Sequence, residues 1–433
     1  MKLIVRNGRV IDPANNLDRV ADVLVENGLI GAVGENLDAS GAEVFDASGL
    51  IVAPGFIDMH VHLREPGFEH AETIESGARA AAAGGFTSVC CMPNTKPVND
   101  SATVTSYIVE RAKRAAVVNV FPIGAITKGS EGEALAAIGS MKAAGVVAIS
   151  DDGRPVMNAR VMRRAMETAR ALDLPIINHC EDLNLSAGGD MHEGVESTRL
   201  GLRGIPASSE DVMVARDILL AEVTGARYHV AHLSTKHSVA MVAFAKSRGL
   251  SVTCEVTPHH FALSDSDVRP YDANYKMKPP LRGCEHVEGA LEGIQSGTVD
   301  ALATDHAPHP GSEKMQEFER CPFGILGLET AIGLTFDKLV HTGRITVRRM
   351  IELYTTGPER ILRLDRGTLA PGKKADLTII DENTEWTYDV NKSPSRSRNS
   401  PFDGTRFRGG PVATIVNGVI VWRRDGDPIN ARS

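Results

Sequence analysis

Four histidines and an aspartate in this 433-residue chain have the spacing of a metal centre. In Asp58-Met59-His60-Val61-His62, two imidazoles are one residue apart. Side chains on a strand alternate with a period of two, so both project from one face. Paired histidines make poor core residues but good ligands for a borderline cation such as zinc. His179, His232 and Asp305 each close a different apolar run, where a strand would hand over to a loop. Four histidines and a carboxylate exceed the needs of one ion with an open position. Two ions about 3.5–4 Å apart need an anion between them. Asp151 and Asp152 end another run, and either can supply that bridge. A lysine carboxylated by CO2 is a further known bridge; Lys128 stands at the right end of its run for this, Lys142 at the wrong end. A cation pair would lower the pKa of a bridging water into the neutral range. Asp305 could then take the proton and pass it to a leaving nitrogen. The chemistry is metal-assisted amide hydrolysis.

Residues this far apart in sequence must be gathered by a fold. Between 55 and 365, short apolar runs alternate with amphipathic stretches, the βα pattern of a parallel sheet. Eight runs are counted: Gly55–His62, Thr87–Pro93, Asn119–Ile126, Val146–Asp151, Pro175–His179, Arg227–His232, Ser251–Thr257 and Val299–Asp305. Helical stretches fit between them, among them Ile74–Ala83, Ala134–Ala144, Arg160–Leu172, Ser209–Thr224 and Ser238–Ser247. Eight strands with helices between them predict a (β/α)8 TIM barrel, whose C-terminal strand ends share one mouth. No GxGxxG follows the first run, which argues against a doubly wound sheet. Both ends of the chain read instead as short β segments: Leu3–Val5, Val23–Glu26, Leu29–Val33, Glu43–Asp46 and Leu50–Val52, then Asp376–Ile380, Thr414–Val416 and Val419–Trp422. Asn7-Gly8, Asn27-Gly28 and Asn417-Gly418 are hairpin signals. The expectation is a composite β-sandwich from 1–54 plus 366–433, with the barrel at 55–365 inserted. The polar run 393–400 predicts a mobile surface loop, and the charged stretch 311–321 either a solvated loop or a lid near the mouth.

Composition adds exclusions. Net charge is −8, with 24% charged and 42% hydrophobic residues, and no basic stripe interleaved with aromatics points to nucleic acid. The apolar run at Met1–Gly8 breaks too early for a secretory signal, and no stretch is long enough to span a bilayer. Six cysteines without CxxC spacing suggest reduced thiols and a cytoplasmic location. The Cys90-Cys91 pair suits strand packing, and His259 and His260 suit support of the site rather than ligation.

Two stretches carry a family resemblance. Asp58-Met59-His60-Val61-His62-Leu63-Arg64-Glu65-Pro66-Gly67 resembles the first signature of dihydroorotases. Ala303-Thr304-Asp305-His306-Ala307-Pro308-His309, with Lys314 after it, resembles the second. The likeness runs through the barrel and the flanking β segments, as in the amidohydrolase superfamily. By resemblance to the bacterial class I enzymes, His60, His62 and Asp305 would hold one zinc and His179 and His232 a second, with Asp152 and a hydroxide as bridges. The implied reaction is reversible conversion of dihydroorotate to N-carbamoyl-aspartate in pyrimidine synthesis. The guanidinium of Arg64 suits bidentate binding of the substrate carboxylate. Asn94 ends the second run, where the family uses an asparagine. Resemblance adds His62 and His309 as substrate contacts and the backbone of Phe323-Gly324 against the ring. Lys278 stands where the family usually has asparagine, which leaves its contact open. Sibling amidases acting on hydantoin, dihydropyrimidine or allantoin are the alternative. So is an inactive scaffold of an aspartate carbamoyltransferase, although every expected ligand is present. Homodimerisation, or partnership of an active enzyme with that transferase, is left open.

Overall fold

The computed structural model describes residues 2–424. Eight parallel strands lie at the centre: β1 (Phe56–Val61), β2 (Phe86–Cys91), β3 (Asn119–Gly124), β4 (Ala148–Ile149), β5 (Ile176–Asn178), β6 (Tyr228–Val230), β7 (Val252–Val256) and β8 (Ala301–Leu302). Each pairs with the next in chain order. Past the end of β8, a bridge from His306 to Val61 closes the ring, with the His62 N–H donating to the His306 carbonyl at 2.9 Å. The Asp58 carboxylate reinforces this seam by accepting from the Thr304 N–H (3.1 Å) and hydroxyl (2.5 Å). All eight predicted strands are present.

The helices follow from amphipathic pattern and capping. Helix Ile74–Ala83 begins at Thr73, whose hydroxyl accepts from the Ser76 N–H, and its buried face is alanine-rich. Helices Ala159–Ala171, Ser208–Thr224 and Lys236–Ser247 fall on predicted stretches. The helix predicted at Ala134–Ala144 is shorter, Ile138–Ala144, because the chain from Thr127 to Leu135 forms a turn closed by a two-residue bridge.

The barrel interior is packed, not hollow. Ile57, Met59, Cys90, Ile123, Ala148, Ile177, Ala301 and Ala303 fill it, and Ile361 and Leu362 plug its lower end. Between Asp58 and Val61, β1 takes three steps while β2 takes two. This bulge resets the alternation. Ile57 and Met59 face inward below it, and His60 and His62 face inward above it.

The terminal segments form one hydrogen-bonded sheet. Ile51–Pro54 pairs antiparallel with Leu377–Ile380 and joins the N-terminal strands to the C-terminal ones. Leu3, Val5, Val23, Ile30, Val52, Leu377, Ile379 and Ile415 make a single core within it. Asn27-Gly28 and Asn417-Gly418 turn hairpins, with both residues of each at positive φ. Asn7-Gly8 does not. It lies within one strand, Lys2–Asp12, as a bulge opposite Asp22, whose carboxylate caps the Asn7 N–H. The Asn-Gly pair supplied the positive φ that a bulge also needs.

A second correction concerns 393–400. The expected mobile loop alternates instead, with Arg396 and Arg398 exposed while Ser395 and Ser397 are each 1% exposed and Asn399 3%. Its hydroxyls are spent on buried acceptors: Ser393 on Glu329, Ser395 on Glu72 and Ser397 on the Ala71 carbonyl. Short polar side chains mark a loop equally well when their partners are internal.

Candidate metal and substrate site

The strand ends bring together all six expected metal ligands. The Asp152 Oδ1 lies 3.4 Å from His60 Nε2, 3.5 Å from His232 Nε2 and 3.8 Å from His179 Nδ1, and Oδ2 lies 3.5 Å from His62 Nε2. Asp305 Oδ1 is 3.0 Å from His62 Nε2 and 3.5 Å from His60 Nε2. Potential ligand atoms gather in three overlapping groups: His60, His62 and Asp152; Asp152, His179 and His232; His60, His232 and Asp305. Asp152 is shared by a group from each side, which is where a bridge must stand. Its neighbour Asp151 turns away and accepts from the N–H groups of Ile126 (2.8 Å) and Thr127 (3.1 Å) and from the Thr127 hydroxyl. Spacing alone left these two aspartates equivalent, with Asp152 chosen by resemblance; the geometry separates them. Lys128 is exposed, and the Lys142 ammonium is occupied by the Leu172 carbonyl.

The donor set fits divalent cations. His60 Nε2 and Asp152 Oδ1 are buried with no hydrogen-bond partner, as is Nε2 of His259. Buried polar atoms in proteins are generally paired, so an unpartnered ring nitrogen and carboxylate oxygen facing one another suit a bound cation. Burial would lower the basicity of His60, but the carboxylates of Asp305 and Asp152 outweigh it and raise its pKa well above the ordinary value. Burial would raise both carboxyls, yet the histidines hold them well below the carboxylate range. A cation binding this set would displace protons from it, so the two compete for these ligands.

Around the cluster stand polar partners of which the sequence reading named only Asn94. Glu255, fully buried, accepts from His60 Nδ1 at 2.7 Å and faces His229 Nε2 at 3.3 Å. Burial alone would raise its carboxyl, but the bonds from His229 and His60 pull it down to about 2. Glu181 Oε2 lies 3.0 Å from His179 Nε2, and Asn94 Oδ1 lies 2.9 Å from His62 Nδ1. Each contact fixes a ring and its tautomer so that the other nitrogen faces the cluster. A glutamate inside an apolar strand, Val252-Thr-Cys-Glu-Val256, was the available signal. Glu255→Gln is expected to weaken metal binding by about 10–100-fold, the usual loss on removing such a partner. A competition titration against a chromophoric chelator measures it; unchanged affinity would remove Glu255 from the site.

Above the cluster opens a cavity of about 360 Å³ lined by His62, Arg64, Asn94, Asp152, His179, His232, Lys278, Asp305, His309 and Phe323 among others. Arg64 Nη2 lies 3.2 Å from His309 Nε2, and its Nε donates to the Pro308 carbonyl at 3.2 Å. Burial, then the Arg64 cation, keeps His309 uncharged at neutral pH. Lys278 points its ammonium at Glu181 (2.8 Å) and over the Phe323 ring (4.9 Å to the centroid). Gly324 stands behind that ring, with a Cβ there falling 2.5 Å from the Ala307 carbonyl oxygen. His260 is structural, held by Thr257 (2.7 Å) and the Pro279 carbonyl (2.9 Å). The 311–321 stretch starts with a short helix, Gly311–Lys314, and is pinned by two buried lysines. Lys314 donates to the Ala273 and Pro322 carbonyls, and Lys276 to those of Phe318 and Glu319. A larger groove of about 480 Å³, between helix Ala102–Ala115 and the hairpin at Asn417, is lined by apolar and basic residues without a histidine or carboxylate.

A closed (β/α)8 barrel with this histidine–aspartate cluster at its mouth defines a metal-dependent amidohydrolase. Comparisons agree: residues 49–238 match the model described as dihydro-orotase-like, and residues 328–422 match the amidohydrolase family. A dihydroorotase of Solibacter usitatus is 72% identical over 99% of this chain and 100% of its own. One of Geobacter metallireducens is 52% identical over 98% of this chain and 100% of its own. Among solved structures, an L-hydantoinase (dihydropyrimidinase) from Arthrobacter aurescens superposes with a TM-score of 0.89 at 26% identity, covering 99% of this chain and 97% of that one. The chain belongs to the dihydroorotase family.

Proposed function

We propose that this protein is a dihydroorotase that opens and closes the cyclic amide of dihydroorotate through a centre of two zinc ions. The single observation carrying the reading is Asp152 placed between two histidine pairs, below a cavity whose wall presents Arg64. His60, His62 and Asp305 would hold one ion and His179 and His232 the other, with Asp152 and a hydroxide bridging. When bound, the pair supplies hydroxide at neutral pH and polarises the amide carbonyl.

The rest of the work falls to side chains. Arg64, steadied by His309 and the Pro308 carbonyl, grips the ring carboxylate with charge-assisted hydrogen bonds. Asn94 uses its Oδ1 on His62 and has Nδ2 to offer as a donor to the same carboxylate. The Phe323 ring walls the cavity, and Lys278 stands within reach of a substrate oxygen. Asp305 takes one proton of the attacking water and gives it to the ring nitrogen as the C–N bond breaks, so the ring N–H becomes a ureido NH2, and the new carboxyl group ionises by losing the water's second proton to solvent. Ring closure runs the same transfers backward.

The organisation of the chain belongs to the same proposal: 1–54 with 366–433 form one domain and 55–365 the catalytic barrel. The sheet joined at Ile51–Pro54 and Leu377–Ile380 supports that division. We place the enzyme in the cytoplasm. Among the described residues, no helix is long and apolar enough to cross a membrane.

The test is a substrate panel run on parental and Arg64→Ala protein. The parental enzyme should turn over dihydroorotate and not dihydrouracil or hydantoin, which lack the carboxylate. Arg64→Ala should raise KM for dihydroorotate by about 10–100-fold, the equivalent of a lost charge-assisted pair. Turnover of dihydrouracil without dihydroorotate would make the protein a dihydropyrimidinase instead.

A further inference from the structure

Between Thr387 and Arg406 the chain leaves the terminal sheet, crosses the rim of the barrel and returns. Asn399 is the buried tip of this crossing, and its side chain is fully committed. Nδ2 donates to the carbonyls of Ala307 (2.9 Å) and Gly324 (3.0 Å), and Oδ1 accepts from the His309 N–H at 3.0 Å. Its own carbonyl accepts from the Leu326 N–H at 3.0 Å. These four bonds tie the loop after β8, which carries His309, to the segment that carries Phe323. Neither stretch belongs to a regular strand, so such tertiary bonds set their positions. The crossing is itself fixed to the barrel. Ser397 holds the Ala71 carbonyl, and Ser395 holds Glu72, which also lies 3.3 Å from His306 Nε2.

We propose that Asn399 is a positioning residue for the carboxylate subsite: from the terminal domain it sets His309 and, through it, the Arg64 guanidinium. It thereby governs how tightly substrate is held without touching the metal cluster. Among the described residues, none of 366–424 lines the cavity itself, so Asn399 acts on substrate through the loop it ties. The inference rests on Arg64 and His309 being carboxylate contacts.

The experiment uses zinc-loaded full-length enzyme. Asn399→Ala removes three side-chain hydrogen bonds and should raise KM for dihydroorotate about tenfold, the equivalent of about one of them felt at the substrate. Calorimetric affinity for orotate, a planar analogue with the same carboxylate, should fall by the same factor. Metal content should be unchanged and kcat within about twofold, the spread of a change confined to binding. In a His309→Ala background, Asn399→Ala should change KM less than about twofold, because the group it positions is gone. Asn399→Ser, which retains one short donor, should give an intermediate KM and decides the matter if the alanine variant does not fold. A parental KM and orotate affinity in whichever variant folds, with only stability or active fraction lowered, overturns the proposal. If Arg64→Ala and His309→Ala themselves leave KM unchanged, the carboxylate reading fails first. If those two raise KM and Asn399→Ala does not, the positioning role of Asn399 alone fails.

Discussion

Asp152→Ala protein should purify folded but largely metal-free, with turnover reduced on the order of a thousandfold or more, the scale of losing a preorganised electrostatic centre. Among the described residues, the Asp152 carboxylate stands within 3.8 Å of all four histidines. Without it His60, His62 and His232 share only Asp305 on the cluster side, and His179 keeps a carboxylate, Glu181, only on its far ring nitrogen. His179 Nδ1 and His232 Nε2 lie 2.8 Å apart, so a shared proton would hold these two rings together more readily than a cation. Metal analysis paired with steady-state kinetics gives the readout. Chelated parental enzyme should regain activity on adding zinc; chelated Asp152→Ala should not. Parental metal content and rate in the variant would refute the bridging role, and Asp151 would not rescue it, because its oxygens are taken by Ile126 and Thr127.

Asp305→Asn should behave differently. Metal should be largely retained, because the half-site of Asp152, His179 and His232 is intact, while kcat falls by about 10²–10⁴, the range for a lost proton-transfer group. KM should move by no more than a few-fold. Asparagine is the informative replacement for a backbone reason. Asp305 has φ +46°, a conformation that Asn and Asp tolerate and most residues do not. An alanine there would add strain and blur the reading; the amide removes the proton acceptor alone. A kcat–pH profile checks it: an ionisation seen in the parental enzyme should be absent from the variant. An unchanged profile with near-parental kcat would shift the proton transfer to another group, and His259, with its unpartnered buried Nε2, would be the next to examine.

Two sites near these residues share the strained backbone. Arg64 has φ +61° and His232 φ +32°. All three stand where a strand ends and the chain must turn while still presenting a side chain to the mouth. Strain held at such points is commonly part of a functional site.

Much of this was legible without coordinates. Strands betray themselves by local apolar runs, and the polar residue closing each run falls at the mouth because a closed parallel sheet leaves no other place for it. His60, His62, His179, His232 and Asp305 were found that way, and helix Ile74–Ala83 was found to the residue because its cap is local. What failed, or what spacing alone left open, depended on partners remote in sequence. Asp151 and Asp152 differ only in which faces Thr127 and which faces the histidines, and one step of strand alternation, set by neighbouring strands, decides that. Asn7-Gly8 satisfies a bulge or a hairpin alike, and the pairing strand chose. The serines at 393–400 carry the composition of a solvated loop, and only Glu72, Glu329 and Ala71, more than 60 residues away in sequence, made them a buried clamp. Sequence by itself settled element type and the chemistry available, because backbone propensity and side-chain identity are local. Tertiary structure alone decided which of those groups meet, because a hydrogen bond or a shared ligand is a property of two segments and is written in neither.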